Sequence, residues 1–114
     1  MSTGDVWERE KGFWLNGPEF YENHMIADAQ MVFPDPIGIL KGGEILDGLR
    51  AAPRWDAVEM EDTAELTLGD TRVLAYRATG TRPAGRPYVA LCSSTYVFCD
   101  PAWKLVSHQQ TPVA

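Results

Sequence analysis

An α+β fold is predicted by one change of pattern along the chain. Up to about residue 51 the apolar side chains recur at helical spacing between stop signals, whereas from Trp55 onward they alternate in steps of two and are rich in β-branched and aromatic types. Helices first and an antiparallel meander after them is the order of an α+β domain. A chain of 114 residues has the size of one domain, so a single unit spanning residues 1–114 with one core is expected.

The first helix is bounded by Ser2 or Thr3, either of which can cap it, and by the stop signal Gly17-Pro18. Asp5 and Glu8 suit the positive end of its dipole. Val6 and Trp7 are followed seven residues later by Phe13 and Trp14, which marks one apolar stripe. Glu10 falls inside that stripe. A carboxylate there is costly unless it is paired or reaches a polar cavity; the other reading is a rim position with its head snorkelling to water. A second helix starts at Pro18, a favoured first helical position, and carries Phe20, Tyr21, His24 and Met25. His24 shares a side with Phe20 and, one turn on, with Asp28. The chain has one other histidine, so a core-lining imidazole is expected rather than a metal ligand. Met31-Val32-Phe33 reads as a short strand ending at the prolines, and Gly42-Gly43 precedes a short helix with Ile45, Leu46 and Leu49 on one face.

Strands are predicted at residues 63–68, 71–79, 88–99 and 103–110, separated by Gly69-Asp70, the Gly/Pro loop at 80–87 and Asp100-Pro101. Asp56, Glu59, Glu61, Asp62 and Glu65 fall on both strand faces and around a turn. They read as a solvated edge, since no calcium loop spacing is present. Period two puts Tyr88, Ala90, Cys92, Ser94, Tyr96 and Phe98 on one face of the long strand and Val89, Leu91, Ser93, Thr95 and Val97 on the other. Both faces are largely apolar, so both are expected to be covered, by helices on one side and a second copy on the other. A homodimer through the sheet follows. If residues 100–102 form a three-residue connection, His108 lies opposite Ser94; a two- or four-residue loop exchanges one face for the other.

Composition narrows the function classes. Sixteen acids against ten bases give a net charge of −6, which repels phosphate backbones and argues against nucleic acid as a partner. The densest bases, Arg77, Arg82 and Arg86, surround the Gly/Pro loop and read as a solvated hairpin tip. The N-terminal residues are charged where a secretory signal needs an apolar core, and residues 88–99 are too short and too polar to span a bilayer. A soluble cytoplasmic protein is expected. Cys92 and Cys99, seven apart in one strand, point to opposite faces and cannot bridge within it. Reduced thiols, no metal and no cofactor are the expectation.

The stretch A-D-A-Q-M-V-F-P-D-P-I-G (27–38), then G-G-E-I-L (42–46) and the closing W-K-L-V-S-H-Q-Q-T-P (103–112), resembles the NTF2-like superfamily, and within it the small SnoaL-like and DUF4440-type proteins. The resemblance covers nearly the full length. It implies a cone, in which a strongly curved antiparallel sheet wraps the N-terminal helices around a deep, largely apolar cavity. Members include ketosteroid isomerases, polyketide cyclases, epoxide hydrolases and non-catalytic assembly domains, so fold alone assigns no reaction.

The isomerase branch carries a D-D-A-x-x-x-D-P-V-G-type motif whose acid is the general base, which by resemblance matches Asp35 before Pro36. The isomerases hold an oxyanion with a tyrosine and a neutral acid. Here Glu10 and Ser94 stand at the matching positions, which makes a different hole. The resemblance thus implies a pocket for a small hydrophobic carbonyl compound, with Asp35 as catalytic base and Glu10, Trp14, Phe20, His24, Tyr76, Ser94, Tyr96 and His108 as ligand-binding groups. Isomerase- or cyclase-like acid/base chemistry without metal is one outcome. A Ser94–His108 nucleophilic pair lacks a nucleophile elbow and an evident orienting acid. The alternative is a non-catalytic dimeric binding or assembly domain with a filled cavity, in which Asp35 caps the Pro-Asp-Pro turn.

Overall fold

The stop at Gly17-Pro18 ends the first helix, and a run of mixed signals after it is resolved by pairing rather than by local preference. A computed structural model describes residues 3–113, with side chains from residue 6 onward. Helix α1 is Thr3–Leu15 and α2 is Pro18–His24, followed by strands β1, Met25–Val32, and β2, Ile39–Lys41. Helix α3, Gly43–Ala51, leads into four long strands: β3 Ala57–Leu68, β4 Thr71–Thr81, β5 Tyr88–Cys99 and β6 Ala102–Pro112. The cap expected from Ser2 or Thr3 and the place of Asp5 on the dipole lie outside the described side chains.

The six strands form one sheet in the order β2-β1-β6-β5-β4-β3. Its strands are antiparallel neighbours except that β1 runs parallel to β6, with Met31 opposite His108. The expected antiparallel sheet is therefore mixed. A parallel neighbour needs a long crossover, and everything between β1 and β6 supplies it. β1 also starts at Met25, where the sequence suggested continued helix and a strand only from Met31. Ala27, Asp28, Ala29 and Gln30 have little strand preference of their own; the segment is held at its ends, by Met25 opposite Leu105 and Gln30 opposite Ser107, with the ladder irregular between them. β3 likewise begins six residues before the predicted strand at 63. Its first half holds Glu59, Glu61 and Asp62, poor strand formers, on an exposed edge of the sheet where nothing apolar is required.

The β5–β6 hairpin decides which side chains face inward. Cys99 pairs with Ala102, so the turn has two residues, and Phe98 faces Trp103. On that parity alone His108 would point outward. A bulge leaves Val106 unpaired between Leu105, opposite Tyr96, and Ser107, opposite Thr95, and from there Ser94 faces His108. The pair expected from a three-residue connection is formed, but by a two-residue turn plus one bulged residue.

The helices cover the inner face. Val6, Phe13, Tyr21, Met25, Met31, Ile45, Leu74, Tyr96 and Leu105 make one buried cluster, and Trp14, Val58, Tyr76, Ala78, Ala90 and Cys92 a second, with Trp7 packed against both. Gly42, the N-cap of α3, has φ +57°, and a Cβ there would stand 3.2 Å from the Ala27 carbonyl oxygen. Glycine is the residue that can turn the chain from β2 into α3 at this point. Among the described residues no helix is long and apolar enough to cross a membrane.

Candidate functional site

Glu10 is the centre of the site. The stripe of α1 carries it inward with Val6, Phe13 and Trp14, and it is 1% exposed. A buried carboxylate must find donors, and strands β4 and β5 supply them. Tyr96 donates to Oε1 at 2.6 Å, Ser94 donates to Oε2 at 2.5 Å, and the Tyr76 hydroxyl donates to the same Oε2. His108 Nδ1 lies 3.4 Å from Oε2 and 2.6 Å from Ser94 Oγ. Trp14 completes the shell by donating its indole N–H to the Tyr76 oxygen at 3.0 Å.

Burial alone raises the Glu10 carboxyl, but the neighbouring imidazole of His108 and the Ser94 and Tyr76 hydroxyls outweigh it and hold the group below its ordinary value. Glu10 is an anion. Burial, and then the Glu10 charge, pushes the phenols of Tyr76 and Tyr96 well above their ordinary value, so both stay protonated as donors. The buried Cys92 thiol is raised to about 12, first by desolvation and then by Glu10. It is an inert thiol.

Counting protons fixes the direction of the chain. A carboxylate only accepts, so the single Ser94 hydroxyl proton goes to Glu10. His108 Nδ1 must then be the donor across the short contact to Ser94. In neutral His108 this leaves Nε2 as an unprotonated acceptor, and the Gln110 amide nitrogen lies 3.0 Å from it. Serine sits between acid and imidazole rather than beyond the imidazole. A nucleophilic serine needs its proton taken by histidine, and here that proton faces Glu10; Ser94 is a relay.

His108 connects this network to a cavity of about 500 Å³. Phe13, Trp14, Met31, Phe33, Ile45 and Leu49 form much of its wall, and Trp55 and Tyr88 stack beside it with ring centroids 5.4 Å apart. Gly80 makes room for that stack, because a Cβ there would stand 3.0 Å from the Trp55 ring. The polar lining consists of His108 and Gln110 together with Arg54, Arg82 and the two tyrosines Tyr21 and Tyr88. Apolar walls with a few convergent polar groups are the usual form of a small-molecule site. Among the described residues no group of three or more His, Cys, Asp or Glu is gathered that could hold a metal ion.

Of the residues named from sequence, Glu10, Trp14, Tyr76, Ser94, Tyr96 and His108 are brought together. Phe20 and His24 are not. Their rings meet at a tilt, with centroids 4.3 Å apart on α2, half-buried, beside a separate depression. Burial and the charges of Arg9 and Lys104 lower the His24 imidazole. Asp35 is exposed, in a turn closed by backbone bonds from Phe33 to Gly38 and from Ile37 to Pro34. Its neighbours Pro34 and Ile37 line the cavity, but Asp35 does not. Sequence reasoning missed Gln110, Arg54, Trp55 and Arg82. Gln110 was within reach, two residues along the same face from His108. Arg82 was read as part of a solvated hairpin tip, yet it folds back so that its guanidinium lies 3.6 Å from the centre of the Trp55 ring.

No protein-family model matches the sequence, and no curated protein matches it. Solved structures match along most or all of the chain. An NTF2-like protein of unknown function in nutrient uptake from Rhodospirillum rubrum superposes with a TM-score of 0.82 at 19% identity, covering 100% of both chains. The fold is NTF2-like. A provisionally assigned ketosteroid isomerase from Parabacteroides distasonis shares this NTF2-like fold with a TM-score of 0.80 at 15% identity, over 95% of this chain and 85% of its own. The CaMKII hub of S. rosetta shares it with a TM-score of 0.71 at 15% identity, over 83% and 81%. The NTF2-like cone therefore frames the Glu10 network here, with the helices packed on the concave side of the sheet.

Proposed function

We propose that the chain binds a small, flat, largely apolar carbonyl compound in the cavity, and that His108 moves protons for it in an isomerase- or cyclase-like reaction without metal. The observation that carries this reading is the placement of His108, which meets Ser94 and the Glu10 carboxylate through Nδ1 and lines the cavity beside Gln110. His108 takes a proton from the carbon next to the carbonyl, the resulting imidazolium is stabilised through Ser94 by the Glu10 anion, and the proton returns to a second carbon. The Gln110 amide, 3.0 Å from Nε2, swings to the substrate carbonyl oxygen and donates to it as charge develops, which frees the Nε2 lone pair to take the proton. Asp35, the base suggested by the isomerase motif, is the competing assignment.

The two are separated by following conversion of a β,γ-unsaturated ketosteroid to its conjugated isomer by ultraviolet absorbance. His108→Ala is expected to lower turnover by roughly 100-fold or more, in the range of general base catalysis, while Asp35→Ala stays near wild type. Loss of turnover in Asp35→Ala with His108→Ala active would reverse the assignment. Binding of the steroid without turnover in the wild type would remove the catalytic step and keep the binding site.

A second reading concerns assembly and rests on the outer face of the sheet. Leu66, Leu68 and Leu91 are 57%, 69% and 48% exposed there, and several large apolar side chains exposed on one sheet face suit an interface. We infer that a second copy packs on this face as a homodimer, an arrangement to which the hub-type neighbour lends support. Light scattering is expected to give twice the chain mass for the wild type and the chain mass for Leu66→Lys/Leu91→Lys. A monomeric wild type at tens of micromolar, on the order of weak assembly constants, would rule it out.

A further inference from the structure

We propose that the ligand of this cavity carries a carboxylate, and that Arg82 reads it. The inference rests on the cavity reading above and names the chemical class of its occupant. The charged side chains lining the cavity are Arg54 and Arg82, and among the described lining residues there is no aspartate or glutamate. In a chain of net charge −6, a lining with two arginines and no acid is a local reversal of sign, and it fits an anion.

The two arginines are not equivalent. Arg54 is engaged by the protein: Nε donates to the Asn16 carbonyl at 2.9 Å, and Nη2 to the carbonyls of Phe13 and Trp14 and to the Tyr21 hydroxyl at 2.7, 2.9 and 3.2 Å. Its charge neutralises the carbonyl end of α1, which would otherwise repel an anion. Arg82 makes one hydrogen bond, from Nη2 to the Pro53 carbonyl at 3.1 Å, and its Nε–H is buried without an acceptor. A buried guanidinium N–H left unpaired is unfavourable. It marks a guanidinium that the protein leaves largely unpaired, and its Nη1 hydrogens, which make no hydrogen bond among the described residues and are not buried, are the donors a ligand carboxylate reaches.

The Arg82 guanidinium carbon lies over the Trp55 ring, 3.6 Å from its centre, so the group is held in place before the ligand arrives. Planar, pre-set guanidinium donors suit carboxylates. The Trp55 and Tyr88 stack and the apolar walls accept the rest of the molecule, an aromatic or fused-ring body that extends from Arg82 toward His108 and Gln110. The occupant is thus a cyclic or aromatic carboxylic acid in its ionised form.

The experiment is calorimetric titration of the full chain with 2-naphthoate and with 2-naphthamide, which have the same ring and nearly the same shape but differ in charge. The wild type is expected to bind the naphthoate roughly tenfold or more tightly than the amide, the size of one charged hydrogen bond. Arg82→Gln is expected to bring naphthoate down to the affinity of the amide while leaving the amide unchanged, and Arg82→Lys to keep part of the preference. Retained amide binding certifies that the variants are folded. Equal wild-type affinities would overturn the carboxylate inference and leave the cavity reading standing, and a preference that survives Arg82→Gln would overturn the role of Arg82. Absence of binding by both probes would overturn the inference together with the cavity reading.

Discussion

Glu10→Ala is expected to lower the free energy of unfolding by about 3 to 5 kcal/mol, the usual cost of removing one partner from a buried charged cluster. The side chain is the shared acceptor of Tyr76, Ser94 and Tyr96. Its loss leaves three buried hydroxyl donors in a space too apolar to solvate them, and it opens a void among α1, β4 and β5. Glu10→Gln should also destabilise, because an amide nitrogen at the Oε2 position faces donors. The effect depends on pH in a definite direction. Burial acts to raise the Glu10 carboxyl, the His108, Ser94 and Tyr76 contacts win, and the folded-state value lies below the ordinary 4.5. A depressed acid stabilises the folded state above its unfolded value, and that contribution is lost as the pH falls through the lower folded value. Urea unfolding of the wild type should therefore weaken as the pH drops below 4.5, and the Glu10→Ala variant should lack that part of the slope. Parallel curves for the two proteins across this range, at equal stability, would refute the role given to Glu10.

Arg54→Ala is the second large loss, expected at about 2 to 4 kcal/mol, since hydrogen bonds to charged groups contribute about 1.5 to 3 kcal/mol each and this guanidinium is partly exposed. Helix α1 has no basic residue in its last turn. Its terminal carbonyls, Phe13 and Trp14, and the following Asn16 are instead served by an arginine placed after α3. The same group reaches Tyr21, so one side chain ties α1, α2 and the segment before β3 together. Arg54→Lys keeps the charge but not the fork, and should fall between wild type and alanine. Thermal and urea unfolding monitored by circular dichroism measure this. An alanine variant within about 0.5 kcal/mol of wild type, the range of ordinary surface substitutions, would show that the cap is dispensable.

Much of the site could be read from periodicity. The seven-residue return from Val6 and Trp7 to Phe13 and Trp14 placed Glu10 inside the apolar stripe, and the step of two along 88–99 placed Ser94 and Tyr96 on the face that turned out to be buried. Those positions are fixed by repeats the sequence carries openly. His108 depended on register. The turn has two residues, and the bulged Val106 restores the pairing; a bulge is a backbone detail with no residue signature here. The early start of β1 at Met25 came from pairing with β6, an interaction between segments far apart in sequence. Arg54 and Arg82 lie outside any repeating pattern, so composition near a loop suggested solvent where Trp55 supplies a flat surface. Asp35 illustrates a different limit. The motif around it is local, but the direction of a side chain in the Pro34 to Gly38 turn is set by the bonds that close the turn, and these leave the carboxylate exposed.

The ordering of protons from Glu10 through Ser94 to His108 is the centre of this account, and nitrogen chemical shifts of the imidazole ring report it directly. With the protein labelled with ¹⁵N, long-range proton–nitrogen spectra of the neutral ring should show Nδ1 carrying the proton and Nε2 with the shift of an unprotonated ring nitrogen. Substituting Ser94 by alanine should weaken that tautomer preference. A neutral His108 with its proton on Nε2 would mean that Ser94 donates to the imidazole and not to Glu10, and the base assigned to the cavity would be lost.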